Sequence, residues 1–206
     1  MAKVLTARER IVDMAMRLFS RRGYAAVGLN EIVDKSGAPK GSLYYYFPGG
    51  KEELAAAAIQ RGADMFVKTI EDIVAATPST AEAIRRIGRT LARWMEQSKF
   101  RDGSPITAVT VEVAPSVESL RLACEDGYGA WQDVMAAALR RDGIAAARAR
   151  DLAAWIAASL EGALILARAE ASSRAILTVT RLMSEAVAAA VTARGRASSL
   201  GRGFRG

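Results

Sequence analysis

A group of donor and aromatic side chains lies between Lys40 and Lys51, in the segment KGSLYYYFPGGK. Such a segment offers ammonium and hydroxyl groups and flat apolar rings to phosphates, base edges and thymine methyl groups. Leu43 and Phe47, four residues apart, are expected to face a core, which would leave the polar side chains on the outer face. The chemistry that this segment predicts is non-covalent recognition of double-stranded DNA.

Eight residues in this part of the chain are expected to contact DNA. Lys51 opens the helix that follows the segment, where its ammonium and the free amides of the first turn together offer a phosphate site. The other residues present hydrogen-bonding groups, rings or close backbone to base edges and phosphates. The predicted DNA-binding residues are Asn30, Lys40, Gly41, Ser42, Tyr44, Tyr45, Tyr46 and Lys51.

Residue types that support covalent or metal chemistry are scarce in this sequence. The chain has no histidine, which removes the commonest general base and the usual zinc ligand. Its single cysteine, Cys124, cannot form an internal disulfide. No paired-carboxylate, phosphate-loop or metal-ligand spacing is found. We therefore expect no catalytic residue, no metal and no cofactor, and an all-helical enzyme is the remote alternative.

The net charge of +7 is unevenly distributed along the 206 residues. Residues 1–51 hold nine Lys and Arg against four Asp and Glu, a net +5, whereas residues 52–193 hold sixteen against eighteen, a net −2. Residues 194–206 hold four arginines and no acid. This asymmetry is typical of a nucleic-acid-binding head on a nearly neutral body.

The elements that must position these residues are helices. Alanine, the residue with the best helix propensity, dominates the composition, and no window alternates like a strand. Thr6 is a plausible N-cap, Gly23 and Gly37 are stop signals, and Pro39 suits the first position of a helix. We expect an all-α protein with about nine helices, at residues 6–22, 29–36, 39–46, 51–76, 80–99, 106–111, 116–141, 145–172 and 174–193.

The segment of residues 152–167 is apolar nearly all round, with Glu161 as its one charge. A helix of this kind must be covered on two sides, so we expect it to face its own core and a partner subunit. The last two helices would then form a homodimer interface. The short length of this apolar segment and its charge at Glu161 argue against a membrane span, and a charged N-terminus argues against a signal peptide. Together these two arguments predict a cytoplasmic protein. Residues 194–206 lack periodicity and are expected to be a disordered basic tail.

Two short helices joined through Ser36-Gly37-Ala38, with an amphipathic helix before them, give the layout of a helix-turn-helix. The string GYAAVGLNEIVDKSGAPKGSLYYYFPGGKEEL resembles the head of the TetR family of bacterial regulators over about residues 6–55. The resemblance implies a DNA-binding domain at residues 1–50, a ligand-binding and dimerisation domain at 51–193, and a pseudo-palindromic operator. The sequence departs from the family at two positions. Family members often have Ser or Thr where this chain has Gly28, and they often have His where it has Tyr46.

The segment DGSPITAVTVEVAPSVESLR, together with FPGGKEEL, resembles the LmrA/YxaF-like subgroup of these regulators. The resemblance implies a repressor that a small apolar or aromatic effector releases from its operator. Glu112, Glu118 and Glu125 could supply charge for a cationic ligand. Apolar and aromatic residues expected to line the ligand pocket are Met65, Phe66, Trp94, Met95, Ile106, Val111, Cys124, Tyr128, Trp131, Met135 and Trp155.

A solid body without an effector site is the main alternative. Ordinary core packing explains each of these apolar residues taken singly, because periodicity alone indicates only that they are buried. A DNA-binding regulator that responds to no small molecule therefore stays open at this point.

Overall fold

The computed structural model of the chain describes residues 5–113 and 116–200, and in this part the fold is all-helical. It contains nine helices and no strand there, which confirms the predicted fold class. The helices are α1 (Ala7–Arg22), α2 (Leu29–Ser36), α3 (Ser42–Tyr46), α4 (Gly50–Ala75), α5 (Thr80–Gln97), α6 (Pro105–Glu112), α7 (Glu118–Arg141), α8 (Ala146–Glu170) and α9 (Arg174–Leu200).

Two compact units share the described residues. The first contains residues 5–66, 101–113 and 116–129, and the second contains 67–100 and 130–200. The unit that carries the predicted DNA-binding residues therefore extends beyond residue 50 and includes α6 and the first half of α7. We call it the head unit, and we call the other the body unit.

The core of the head unit forms around α1. Ile11, Ala15, Leu18 and Phe19, which share one face of α1 at helical spacing, are all buried. They belong to one cluster of buried side chains from α1 to α4, α6 and α7. The other large members of this cluster are Ile32, Leu43, Phe47, Leu54, Ile59, Ile106, Leu120 and Cys124.

The N-terminus of α1 is fixed by a capping box. Thr6 Oγ1 accepts from the Glu9 amide at 3.2 Å, and Glu9 Oε2 accepts from the Thr6 amide at 2.8 Å. Two amide donors that the helix leaves unpaired are thereby satisfied, which confirms the predicted start. At the other end, Gly23 has a φ of +82° and ends the helix.

Several helix boundaries differ from the predicted ones. Pro39 does not start α3, because the Ser42 amide bonds to the Pro39 carbonyl in a turn and the helix begins at Ser42. α5 ends at Gln97, since Lys99 and Phe100 adopt left-handed backbone conformations. α7 begins at Glu118 and α8 ends at Glu170, where Ala171 is left-handed.

The C-terminal helix is longer than predicted. α9 continues to Leu200, so the expected end at Ala193 is wrong. Alanine, serine and arginine are tolerated in a helix, and no proline interrupts this stretch. Residues 201–206, the rest of the predicted tail, lie outside the described residues.

The body unit is built on close packing of α5 against α9 and of α8 against α9. Gly88 of α5 lies against Thr180, and Arg85 Nη1 donates to Ser184 Oγ at 2.7 Å. α8 and α9 are long and apolar enough, by length and composition, to cross a membrane. Both helices also contribute buried residues to the body unit.

Candidate nucleic-acid interface

The helix-turn-helix is formed by α2, the residues 37–41 and α3. Gly37 closes α2 in the left-handed conformation, with a φ of +65°, which glycine adopts without steric penalty. Ser36 Oγ donates to the Val33 carbonyl and accepts from the Ala38 amide, so the hydroxyl bonds to both sides of the bend. The turn is therefore fixed by local hydrogen bonds.

Arg10 ties α1 to this turn. Its Nε donates to the Ser36 carbonyl and its Nη2 to the Gly37 carbonyl, each at 3.3 Å. These carbonyls lie at the C-terminus of α2, where a cation is favourable because the helix dipole is negative there. α1 thus holds the orientation of α2 through both the core and a charged cap.

The outer face of α3 carries two of the most exposed aromatic side chains that the structure describes. Tyr44 is 65% exposed and Tyr45 is 80% exposed, whereas Leu43 and Phe47 are buried. This confirms that Leu43 and Phe47 face the core. The Tyr46 ring is half-buried and meets the Tyr45 ring edge-on, with centroids 5.0 Å apart. Neighbouring exposed rings form a patch of the kind that marks binding surfaces, so this face fits an interface.

A groove of about 320 Å³ runs between α2 and α3 and brings three predicted DNA-binding residues together. Asn30, Lys40 and Tyr44 line it, with Leu29, Val33, Asp34 and Leu43 as the other lining residues. Gly41 is exposed and Ser42 is half-buried beside it along the chain. Amide, ammonium and phenol groups at one groove can contact phosphates and base edges side by side.

Lys51 is placed differently from an ordinary surface lysine. Its Nζ lies 4.3 Å from the centroid of the Tyr24 ring and donates to the Ala25 carbonyl at 3.4 Å. Partial burial lowers the pKa of Lys51, while the charge of Glu112 acts in the opposite direction. Burial also raises the pKa of Tyr24. The ammonium is thus held at the turn between α1 and α2.

Tyr24 was missed among the predicted site residues. The only sequence signal for it was the Gly23-Tyr24 pair, which the resemblance includes without assigning it a contact. The contact of Arg8 with the core is likewise not predicted from the sequence, and its guanidinium lies 5.2 Å from the centroid of the Phe47 ring. Contacts of this kind join residues distant in sequence, so spacing alone does not reveal them.

Comparison with known proteins agrees with this geometry. A family model described as "Bacterial regulatory proteins, tetR family" matches residues 11–58, and one described as "Transcriptional regulator LmrA/YxaF-like, C-terminal domain" matches residues 80–182. The HTH-type transcriptional regulator LmrA of Bacillus subtilis is 35% identical over 84% of this chain and 93% of its own length. The chain belongs to the TetR family. It is a DNA-binding transcriptional regulator, and since its relatives are regulators, the prediction that it is not an enzyme is confirmed.

Other relatives agree with this assignment. The uncharacterized HTH-type regulator YxaF of Bacillus subtilis is 36% identical over 78% of this chain and 84% of its own length. A TetR regulatory protein from Rhodobacter sphaeroides superposes with a TM-score of 0.79, covering 87% of this chain and 97% of that one at 22% identity. A cysteine mutant of the TetR-family regulator CifR, bound to 26-bp operator DNA, has a TM-score of 0.71, covering 90% and 98% at 22% identity. These structural likenesses show a shared fold.

Some of the residues predicted to line a ligand pocket in this TetR-family chain meet within the head unit. Cys124 Sγ lies 3.9 Å from the Ile106 carbonyl oxygen, and the Tyr128 hydroxyl is 3.0 Å from Thr107 Oγ1. Gly127 allows α7 to lie close to the Ile106 side chain of α6, because a Cβ at position 127 would lie 3.0 Å from Ile106 Cδ1. Phe66 is half-buried. By contrast, two other predicted lining residues of this unit are largely exposed, Met65 (48%) and Val111 (75%).

The remaining predicted lining residues lie in the body unit. Met95, Trp131 and Met135 are buried, whereas Trp94 and Trp155 are 44% and 41% exposed. The three acids considered for a cationic ligand are engaged elsewhere. Glu118 and Glu125 both pair with Arg121, and Glu112 accepts a hydrogen bond from the Ala25 amide.

Proposed function

We propose that this TetR-family regulator is a repressor that binds a pseudo-palindromic operator as a homodimer and leaves it when a small apolar or aromatic molecule binds. Residues 1–50 serve as the DNA-binding domain and residues 51–193 as the ligand-binding and dimerisation domain. The observation that supports DNA contact through α3 is the exposure of Tyr44 and Tyr45 above the buried Leu43 and Phe47. A cytoplasmic location follows from this role.

The eight predicted residues each have a place in the proposed DNA contact. Tyr44 and Tyr45 would meet base edges and thymine methyl groups in the major groove, with Ser42 and Gly41 at the approach of α3. Lys40 and Asn30, which share a groove with Tyr44, would reach the phosphates and bases beside it. Tyr46 and Lys51 would contact the flanking phosphates.

The homodimer is proposed to form through α8 and α9. Ile165 and Leu166 on α8 and Leu177 and Leu182 on α9 are 43–54% exposed in the single chain. Large aliphatic side chains at this exposure favour coverage by a second subunit. Two-fold symmetry would place two α3 helices about 34–36 Å apart along a duplex, which matches successive major grooves and explains a palindromic operator.

The effector is proposed to bind among the apolar residues predicted as pocket lining, with the contacts around Ile106, Cys124 and Tyr128 as the clearest local arrangement. α4 runs without a break from Gly50 to Ala75, so a ligand that shifts this helix would move its first turn, which carries Lys51. Affinity for DNA then falls. Linkage requires that bound DNA weakens effector binding by the same factor.

The decisive experiment is a gel-shift titration with a duplex from the region immediately upstream of the chain's own gene. We expect a retarded protein–DNA complex, and we expect planar aromatic compounds to dissociate it in a concentration-dependent way. A retarded complex that no compound affects would favour a regulator without an effector. Absence of a sequence-preferring complex, against a scrambled duplex of equal length, would contradict the proposed operator binding.

A further inference from the structure

Glu112, the last residue of α6, is bonded to the turn that links α1 to α2. Its Oε2 accepts a hydrogen bond from the Ala25 amide at 2.7 Å. The carboxylate also lies against the backbone of Gly23, because a Cβ built there would be 2.8 Å from Glu112 Cδ. Gly23 has a φ of +82°, a conformation that favours glycine, and the absence of a side chain there leaves room for the Glu112 carboxylate.

The same turn is held on its other side by Lys51. The Lys51 ammonium donates to the Ala25 carbonyl and lies over the Tyr24 ring. Ala25 therefore has its amide bonded to the end of α6 and its carbonyl bonded to the start of α4. Both groups are exposed to water in part, so these bonds fix geometry more than they stabilise the fold.

The position of this carboxylate is unfavourable on two counts. A negative charge at the C-terminus of a helix opposes the helix dipole. A negative charge beside a lysine proposed to contact phosphate also repels DNA. The hydrogen bond to the Ala25 amide offsets these effects, and it joins α6 to a turn that lies 87 residues earlier in the chain.

We infer that Glu112 is a positioning residue for DNA binding, which holds the turn of residues 23–25 so that Lys51 and the start of α2 meet the phosphate backbone together. This inference rests on the proposed phosphate contact of Lys51. Since Glu112 ends α6, which bonds through Thr107 to Tyr128 on α7, a shift of α6 would break the Ala25 hydrogen bond and loosen the turn.

The test compares three variants of the full chain with the wild type. Glu112→Ala removes both charge and acceptor, and Glu112→Gln keeps an acceptor oxygen for the Ala25 amide while removing the charge. Glu118→Ala is the matched control, because Glu118 is an exposed acid that pairs with Arg121 and does not contact the turn. Affinity for a fluorescein-labelled 30-bp duplex of mixed sequence is measured by anisotropy at low salt, and exchange of the Ala25 amide is followed by NMR.

We expect Glu112→Ala to weaken DNA binding about fivefold, since a single hydrogen bond is lost, and to speed exchange of the Ala25 amide. Glu112→Gln should restore both to within about twofold of the wild type, and Glu118→Ala should not weaken binding. If Glu112→Ala binds DNA as tightly as the wild type or more tightly, the positioning role is wrong. Equal losses in the Gln and Ala variants would also overturn it.

A separate variant tests the proposed contact between Lys51 and a DNA phosphate. If Lys51→Ala leaves wild-type affinity and its salt dependence unchanged, the proposed contact of Lys51 is wrong. A loss in Glu112→Ala that Gln restores would then still show that the turn matters for DNA binding.

Discussion

Gly88 on α5 and Thr180 on α9 are in direct contact, and a Cβ added to Gly88 would lie 2.7 Å from both Cβ and Cγ2 of Thr180. Thr180 cannot easily move aside, because it is β-branched, 2% exposed and bonded through its hydroxyl to the Ile176 carbonyl. The absence of a side chain at position 88 therefore sets how closely the two helices approach.

Gly88→Ala is predicted to destabilise the chain by about 1–3 kcal/mol, because overpacking outweighs the gain in helix propensity. Gly129→Ala is the matched control. Gly129 is also within a helix, but a Cβ there would meet no atom within 4 Å, so this change should stabilise by about 0.5–1 kcal/mol. Urea unfolding followed by circular dichroism gives both values, and equal shifts of the same sign would contradict the packing argument.

Lys51→Ala is predicted to weaken binding to any duplex and to reduce the slope of log K against log salt by about 0.9.

Tyr44→Ala is predicted to weaken binding to the operator more than binding to other duplexes, because a ring at a base edge discriminates between sequences. It should cost about 1–3 kcal/mol on the operator and much less on a scrambled duplex. Anisotropy titrations at several salt concentrations separate the effects of the Lys51 and Tyr44 substitutions. An unchanged salt slope for Lys51→Ala would contradict the proposed phosphate contact of Lys51.

Leu182→Glu is predicted to convert the proposed dimer to a monomer, because it would place a charge in an apolar interface between α9 helices. Leu122→Glu on α7 is the control, since Leu122 is exposed to a similar degree, 45% against 50%, and lies outside the proposed interface. Sedimentation velocity at micromolar concentration measures the change. A dimer that survives Leu182→Glu would place the interface elsewhere.

Cys124 is predicted to react slowly with iodoacetamide in the native chain. Burial raises the pKa of its thiol, with the nearby Thr110 hydroxyl offsetting part of the rise, so little thiolate is present at neutral pH. The unfolded chain loses the thiol proton near pH 8.5, before the folded chain does, so this group should lower stability as the pH rises through that value. Cys124→Ala should flatten that decline, which thermal unfolding between pH 7 and pH 10 would measure.

The helices and the head were predictable because their signals are local. Thr6 with Glu9, Gly23, Gly37 and the spacing of Leu43 and Phe47 are all readable within a few residues. Boundaries failed where the backbone takes an unexpected conformation without a glycine, as at Lys99 and Ala171. A non-glycine residue in the left-handed region leaves no trace in the sequence.

The candidate site was predictable in its residues but only partly in its contacts. The exposure of Tyr44 and Tyr45 follows from the burial of Leu43 and Phe47 at helical spacing. The engagement of Lys51 with Tyr24, and of Glu112 with Ala25, depends on segments that lie far apart along the chain. Such contacts are set by how the helices pack, which periodicity does not specify.

The membership of residues 101–113 and 116–129 in the head unit also affects the order in which the protein can be made. The buried cluster around α1 includes Ile106, Val109, Leu120 and Cys124, which are synthesised well after α4 begins. At typical translation rates the ribosome needs roughly 3–12 s to pass from the end of the first segment to Cys124. During that interval the nascent head exposes part of its apolar interior, so chaperone binding should concentrate there, and a chain cut short before α7 should be degraded and not persist as a free DNA binder.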